Sequence, residues 1–466
     1  MRGAQPPFTG YAFADFRTFT EALPPDPLSR SVSYYKVMYA LTYSAYMNVL
    51  EGPMTRTKSV SVAATVVVTA LALTSCGSSG GEQVAADKKQ TLTVWAMGEE
   101  GTRLKAVTDE FTKQHPNITV KVTPVGWDVV HQKLVSAIAA KKTPDMAQMG
   151  STMMGEFIAL DALEPVDTKT FKKSDFFPAT WDSNVKDGTA YGVPWYADTR
   201  ALYYRTDLAE KAGVDKAPTT WKEQQALAAA YQKAGAEWGT DLQPSSTGAW
   251  QSWVQYLYSA GGELIGKDGK PALDSPAAIR AFTQWASYFK KGLAKKTFTP
   301  GYDVTKDFGS GKRPMFQSGP WMVANIDDQQ PQIKGKYKVV PVPADKTSTS
   351  WVGGASLVTF KNSAHKAAAE ELTQYLTTPK MQAKWYEADK ALPANKAAWD
   401  EPALKGGGDS LATFKTSLDT AKAIPPLEKW NEFAAAVEGA LAKISQGADP
   451  AATAKALQKT AEGLVG

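Results

Sequence analysis

Between residues 91 and 150 the chain alternates three strand-like runs with two helical ones, and this alternation limits its fold more than any other feature. TLTVWAM (91–97), ITVKVTPV (118–125) and DMAQMG (145–150) carry the short apolar, β-branched patterning of strands. Between them, 99–114 repeats Leu104, Ala106, Val107 and Phe111 at helical spacing, and 129–141 predicts a second helix. Strands separated by helices of this length form βαβ units and hence a parallel, doubly wound sheet.

A second region, about 200–350, is mostly helical. Thr219 and Thr220 cap WKEQQALAAAYQKAG, GAWQSWVQYLYSAGG follows, and 275–291 makes another helix. The Asp-Gly in ELIGKDGKPAL predicts a hairpin turn. WVGGASLVTF then returns to strand pattern, and from Ser363 onward the chain reads as successive helices broken at Pro379, Pro393, Pro402 and Pro425. The expected fold class is α/β, with two lobes and doubly wound sheets joined by a hinge. In such folds ligands sit beyond the carboxyl ends of strands or between lobes.

Composition excludes several functions. The 466 residues are 43% apolar and 21% charged, which is ordinary for a folded chain rather than a disordered one. A net charge of +5 without a basic run interleaved with aromatics argues against nucleic acid as a partner. All 14 tryptophans lie after position 90, an excess that asks for an explanation.

Cys76 is the only cysteine, so neither a disulfide framework nor a cysteine metal site exists. From Met54, MTRTKSVSVAATVVVTALALTSCGSSGG gives a basic start, an apolar run over 60–73 and small residues before the cysteine. It resembles a bacterial lipoprotein signal with Leu73-Thr74-Ser75-Cys76 as lipobox. The apolar run over 60–73 falls short of the ~20 residues that a spanning helix needs. The expectation is that 54–75 is removed, that Cys76 carries lipid, and that 76–90 tethers the chain to the membrane. Residues 1–53 precede this signal, and translation is expected to begin at Met54.

Motifs for catalysis are weak. His115, His131 and His365 are far apart in sequence, none in metal-ligand spacing. Gly77–Gly81 satisfies GxSxG within the tether, where no strand precedes it and no helix follows. GSGK (309–312) lacks the rest of a P-loop. Glu99 and Glu100 open the first helix, where they either complement its dipole or face a cleft. Paired with Asp198 they could serve as glycosidase carboxylates.

Four stretches, in order, carry a resemblance: YGVPWYADTRALYYRTDL, GKRPMFQSGPWMVANI, WVGGASLVTFKNSAHKAAAEELTQYLTTPKMQAKW and AIPPLEKWNEFAAAVEGAL. Together they resemble the extracellular solute-binding proteins that deliver sugars to ABC importers, the maltose-binding-protein group. The resemblance implies a periplasmic-binding-protein type II fold, with lobe 1 over 91–197 and a return segment over about 352–390. Lobe 2 would cover 198–351 with C-terminal helices over about 391–466. It also implies a ligand-facing carboxylate at Asp198 and sugar-contacting tryptophans at Trp321 and Trp430. Local chemistry adds Glu99, Glu100, Trp127, Ser151, Thr152, Trp195, Arg200, Trp250, Trp351, Gly353 and Gly354. Where maltose-binding protein has a charged pair, this chain has GSTMMGEF, which leaves the particular sugar open.

The physical case is separate from the resemblance. A pyranose presents an apolar face and a rim of hydroxyls, so its site needs flat aromatic platforms with donors and acceptors at their edges. The expectation is a monomeric, lipid-anchored receptor on the extracellular face of the cell membrane. It needs no cofactor, binds a di- or oligosaccharide between its lobes and hands it to a membrane-embedded ABC permease. The rivals are a secreted glycoside hydrolase, a receptor for a polyol, a peptide or a sugar phosphate, and a purely structural cell-surface lipoprotein, which would leave the tryptophans without a purpose.

Overall fold

The structure is a computed structural model describing residues 83–85, 87–244, 248–299 and 302–465. The extension over 1–53, the signal with its lipobox, Cys76, Gly77–Gly81 and most of the tether lie outside the described residues. Among the described residues no helix is long and apolar enough to cross a membrane.

Among the described residues twelve strands form: β1 Gln90–Met97, β2 Ile118–Val125, β3 Met146–Gly150, β4 Val185–Lys186, β5 Thr189–Ala190, β6 Val193–Thr199, β7 Ala201–Arg205, β8 Met315–Ser318, β9 Tyr337–Val340, β10 Trp351–Thr359, β11 Leu392–Pro393 and β12 Lys422–Ala423. The first sheet runs β11-β6-β10-β3-β1-β2, with β12 beside β10. β1 is parallel to β2 and to β3, joined by the helices Gly98–Gln114 and Val130–Ala139, so the predicted βαβ units are present. β10 returns late in the chain and pairs antiparallel with both β3 and β6.

The lobes differ in their sheets. In the second lobe β8, β7 and β9 are antiparallel throughout, so the doubly wound pattern expected of both sheets is confined to the first. Its mass is helical instead. Trp253, Phe282, Trp285, Phe433, Val437 and Leu457 share one core, which ties the C-terminal helices Trp430–Ser445 and Pro450–Val465 to Ala249–Ser259 and Pro276–Lys290.

Between β6 of the first sheet and β7 of the second stands one residue, Arg200. The crossing is laced to the start of β10: Thr199 Oγ1 donates to the Trp351 carbonyl at 2.9 Å, and the Arg200 amide donates to Ser350 Oγ at 3.2 Å.

Local signals acted as their chemistry requires. Thr220 and Glu223 form a reciprocal capping box that starts Trp221–Lys233. Ile265 and Pro271 bridge antiparallel across the Asp-Gly turn. GSGK ends a helix, Val304–Ser310, whose cap Gly311 takes φ 79°, and it opens none. In the C-terminal third the run of helices is broken as expected at Pro379 and Pro402, each of which stands first in a new helix, because proline's missing N–H costs nothing in a first turn. β11 places Leu392 and Pro393 on the edge of the first sheet, just past the return segment expected over about 352–390.

Candidate functional site

The carboxyl ends of β1 and β6, the turn after β2 and the start of the helix Trp321–Gln329 converge on a cavity of about 370 Å³. Its walls include Glu100, Trp127, Tyr196, Asp198, Trp321 and Gly354. Trp127 and Trp321 are 45% and 40% exposed, which is unusual for a residue this large and leaves flat ring surface open to the cavity.

Glycines place both rings. A Cβ on Gly98 (φ 54°) would lie 3.0 Å from Trp127 Cδ1, and one on Gly319 would lie 2.1 Å from Trp321 Cζ3. Each indole therefore lies against bare backbone.

Glu100 is held from three sides. The Tyr196 hydroxyl donates to Oε1 at 2.8 Å, Gln148 Nε2 approaches Oε1 at 3.5 Å, and Trp127 Nε1 donates to Oε2 at 3.3 Å. Gln148 is itself fixed, since its Oε1 accepts from the Met97 amide at 2.9 Å and its Nε2 donates to the Tyr196 hydroxyl at 3.1 Å. Burial pushes the Glu100 carboxyl above its usual range, the Tyr196 hydrogen bond opposes this, and the nearby Asp389 carboxylate adds to it.

A bulge in β6 makes this network possible. Pairing with β10 shifts register between Ala355 and Ser356, opposite Pro194 and Tyr196. The extra residue, Trp195, and its neighbour Tyr196 consequently enter the same core cluster rather than opposite faces.

Asp198 and Arg200 form the other half of the site. Arg200 Nη1 lies 2.6 Å from each Asp198 oxygen, and Nη2 donates to Gln251 Oε1 at 2.6 Å. The guanidinium carbon sits 4.8 Å from the Trp321 ring centroid and 4.5 Å from that of Trp351, a cation between two aromatic faces. Burial raises the Asp198 carboxyl, and Arg200 works against that rise.

Several expected site residues stand elsewhere. Trp195 is 1% exposed and packs on Trp385 at 4.6 Å, so it is a core residue of the first lobe. Trp250, Trp351 and Trp430 are also buried; Trp250 lies 5.1 Å from Trp351 and 4.8 Å edge-to-face with Trp430. They back the wall that Arg200 covers, and do not present open faces to the cavity. Ser151 is buried, and neither it nor Thr152 lines the cavity.

Gly353 makes room for the Trp351 ring, which a Cβ would meet at 2.6 Å. Gly354 lines the cavity at φ 108°, with its α-carbon so near the Tyr196 carbonyl that a Cβ would sit 2.2 Å from the oxygen. The side chain of Glu99 lies outside the described part of the structure.

Sequence reasoning missed Tyr196, Gln148, Asp389 and Lys390. Asp389 and Lys390 line the cavity from the end of the helix Pro379–Asp389, far along the chain. Tyr196 stood in the quoted crossover stretch, between two residues that were singled out.

The family model of bacterial extracellular solute-binding proteins matches residues 96–383. The chain belongs to this family. Members are extracellular binding proteins, and the two-lobed α/β architecture is theirs. A binding protein of Brucella abortus (strain 2308) is 30% identical over 354 residues, covering 74% of this chain and 85% of that one. Among solved family structures, the sugar-binding protein MalE of Xanthomonas citri matches with TM-score 0.75 and 30% identity, over 81% of this chain and 97% of that one. A solute-binding protein of Thermotoga lettingae bound with α-D-tagatose matches with TM-score 0.69 and 26% identity, over 81% and 100%. The cavity thus lies between the lobes of a solute-binding fold, at the carboxyl ends of its strands.

Proposed function

We propose that the chain is a sugar receptor of an ABC importer, taking a di- or oligosaccharide between its lobes and presenting it to membrane-embedded permease subunits. The observation that carries the reading is the pairing of two half-exposed indoles, Trp127 and Trp321, with two oriented carboxylates, Glu100 and Asp198, around one cavity. Aromatic faces suit a pyranose's C–H face, and fixed carboxylate oxygens suit its hydroxyls. The sugar-binding relatives support the same reading.

Binding, with no bond broken, fits the state of the carboxylates. Both Asp198 oxygens are engaged by Arg200 and both Glu100 oxygens by neighbouring donors, so each carboxylate is held in a fixed orientation for accepting hydroxyls. Closure proceeds by rotation of one lobe on the other about the crossing strands. The receptor works as a monomer at the outer face of the cell membrane, tethered through lipid on Cys76.

The test is a sugar panel read by tryptophan fluorescence and thermal shift, because a ligand of the native state raises its apparent stability. Binding of a di- or oligosaccharide with a raised melting temperature is expected. A flat response to every mono-, di- and oligosaccharide, or product release from a glycoside that Asp198→Asn abolishes, would overturn the reading. Membrane fractionation of Cys76→Ser checks the anchor, with the variant expected in the soluble fraction.

A further inference from the structure

Beside the ligand cavity, along the helix Trp321–Gln329, lies a second cavity of about 350 Å³. The two share Pro320 and Lys390 as walls, so they are neighbouring stretches of one cleft. Both lobes line the second: Tyr386, Lys390 and Leu392 come from the first, and Val323, Asp327 and Asp328 from the second. Its charges are opposite on the two sides. Asp327 accepts from the Tyr337 hydroxyl at 3.0 Å and has the Lys334 ammonium at 3.9 Å. Asp328, one residue on, is exposed and among the described residues has neither a hydrogen bond nor an ion pair. Across the cavity the Lys390 ammonium lies over the Tyr386 ring at 5.2 Å, and among the described residues no carboxylate stands within ion-pair reach of it. We infer that Lys390 and Asp328 are the two halves of a latch: as the lobes rotate together over a ligand the two meet, and their pair holds this side of the cleft shut. The inference rests on the sugar-receptor reading and deepens it, since it names the contact that regulates closure.

Lys390 also carries backbone strain. It caps the helix Pro379–Asp389 at φ 64°, in the left-handed region where glycine fits freely and a side chain does not. A lysine kept at such a position, with its side chain on an interlobe cavity, points to a use for that side chain.

The latch acts late in closure. While the cavity is open and wet, water screens both charges and their attraction is small. Narrowing the cavity expels that water and shortens the gap, so the attraction grows only as the lobes come together. The pair therefore stabilises the closed arrangement and leaves the open one unaffected.

The test is a charge swap read by isothermal calorimetry on the full chain, with maltose, cellobiose, lactose and diacetylchitobiose as ligands. Lys390→Glu and Asp328→Lys are each expected to weaken the disaccharide that binds wild type by about threefold or more, the scale of an exposed ion pair turned to repulsion. The double swap restores opposite charges, and its affinity is expected to return to within about twofold of wild type. Lys390→Gly suits the backbone and lacks the charge, so it should melt at or above the wild-type temperature yet bind more weakly, a combination that a merely structural lysine would not give. Thermal melting confirms that each variant folds. Should a reversal fail to fold, Lys390→Met and Asp328→Asn supply the same cycle, the double variant losing no more than either single one. A double swap no tighter than Lys390→Glu alone would show that Lys390 acts on the ligand and not on Asp328; single variants that bind as wild type would show that there is no latch. Either result overturns the inference and leaves the receptor reading intact. If wild type binds none of these sugars, the receptor reading falls, and this inference with it.

Discussion

Arg200 and Asp198 hold each other at 2.6 Å across the crossing between the lobes, with the guanidinium almost fully out of water. Removing one partner strands the other. Asp198→Asn is expected to lower stability in urea by about 3 kcal/mol, because it leaves a buried cation without its counter-ion. Adding Arg200→Met should recover much of that loss, since the stranded cation is then gone and no unpaired buried charge remains. A double variant no more stable than Asp198→Asn would show that the pair is not the source of the effect.

The tryptophans divide by exposure. Trp127→Ala and Trp321→Ala should each weaken sugar binding at least tenfold in calorimetry, with a smaller loss of stability than a fully buried indole would show, because nearly half of each ring stays in water. Trp430→Ala behaves otherwise: this ring packs against Trp250 and Phe433, so its removal should cost about 3–5 kcal/mol in denaturation as a core cavity.

Glu100 makes binding depend on pH. Its folded value is raised, so ionising it works against the fold; that cost is absent below the ordinary carboxylate range and sets in as the pH rises through the raised value. Glu100→Gln keeps an acceptor for the Tyr196 hydroxyl and removes the cost. Its melting temperature at neutral pH is expected to equal or exceed that of wild type, with affinity down at least tenfold. Wild-type affinity should begin to fall on acidification at a pH above about 4.3, where an unperturbed glutamate titrates.

Asp145 has the opposite sign. Burial would raise its carboxyl, but hydrogen bonds from Thr93, His365 and Ser363 outweigh it and hold the group below its usual value. Its stabilisation is therefore present above the unfolded value and lost as the pH falls through the folded one. Asp145→Asn should cost about 2–3 kcal/mol at neutral pH, the worth of hydrogen bonds to a charged group. Equilibrium unfolding at a series of pH values should show the gap to wild type closing below about pH 4.

Much of the first lobe was legible because its signals are local. The run ITVKVTPV became β2 without change of bounds, and Thr220 capped the helix that its spacing to Glu223 announced. The site was legible in its residue types and less so in their disposition. Trp127 and Trp195 look alike in sequence, each near a proline or glycine, yet one lies open and the other is sealed against Trp385. What separates them is the bulge in β6, which exists only once β10, more than 150 residues later, has paired with it. Asp389 and Lys390 escaped for the same reason: no local pattern tells that the end of a late helix will meet the end of β1.

The single-residue step at Arg200 has a mechanical implication. A linker of several residues could absorb a twist by rearranging its own torsions, and the two lobes could then turn independently of what lies between them. Here the side chain of the connecting residue is gripped by Asp198 on one strand and by Gln251 in the helix Ala249–Ser259, and its amide is tied to Ser350. On the receptor reading proposed above, the joint would act like a leaf spring clamped at the point of contact: a sugar held by Asp198 would bear directly on the crossing, at the place where the lever arm of lobe rotation is shortest.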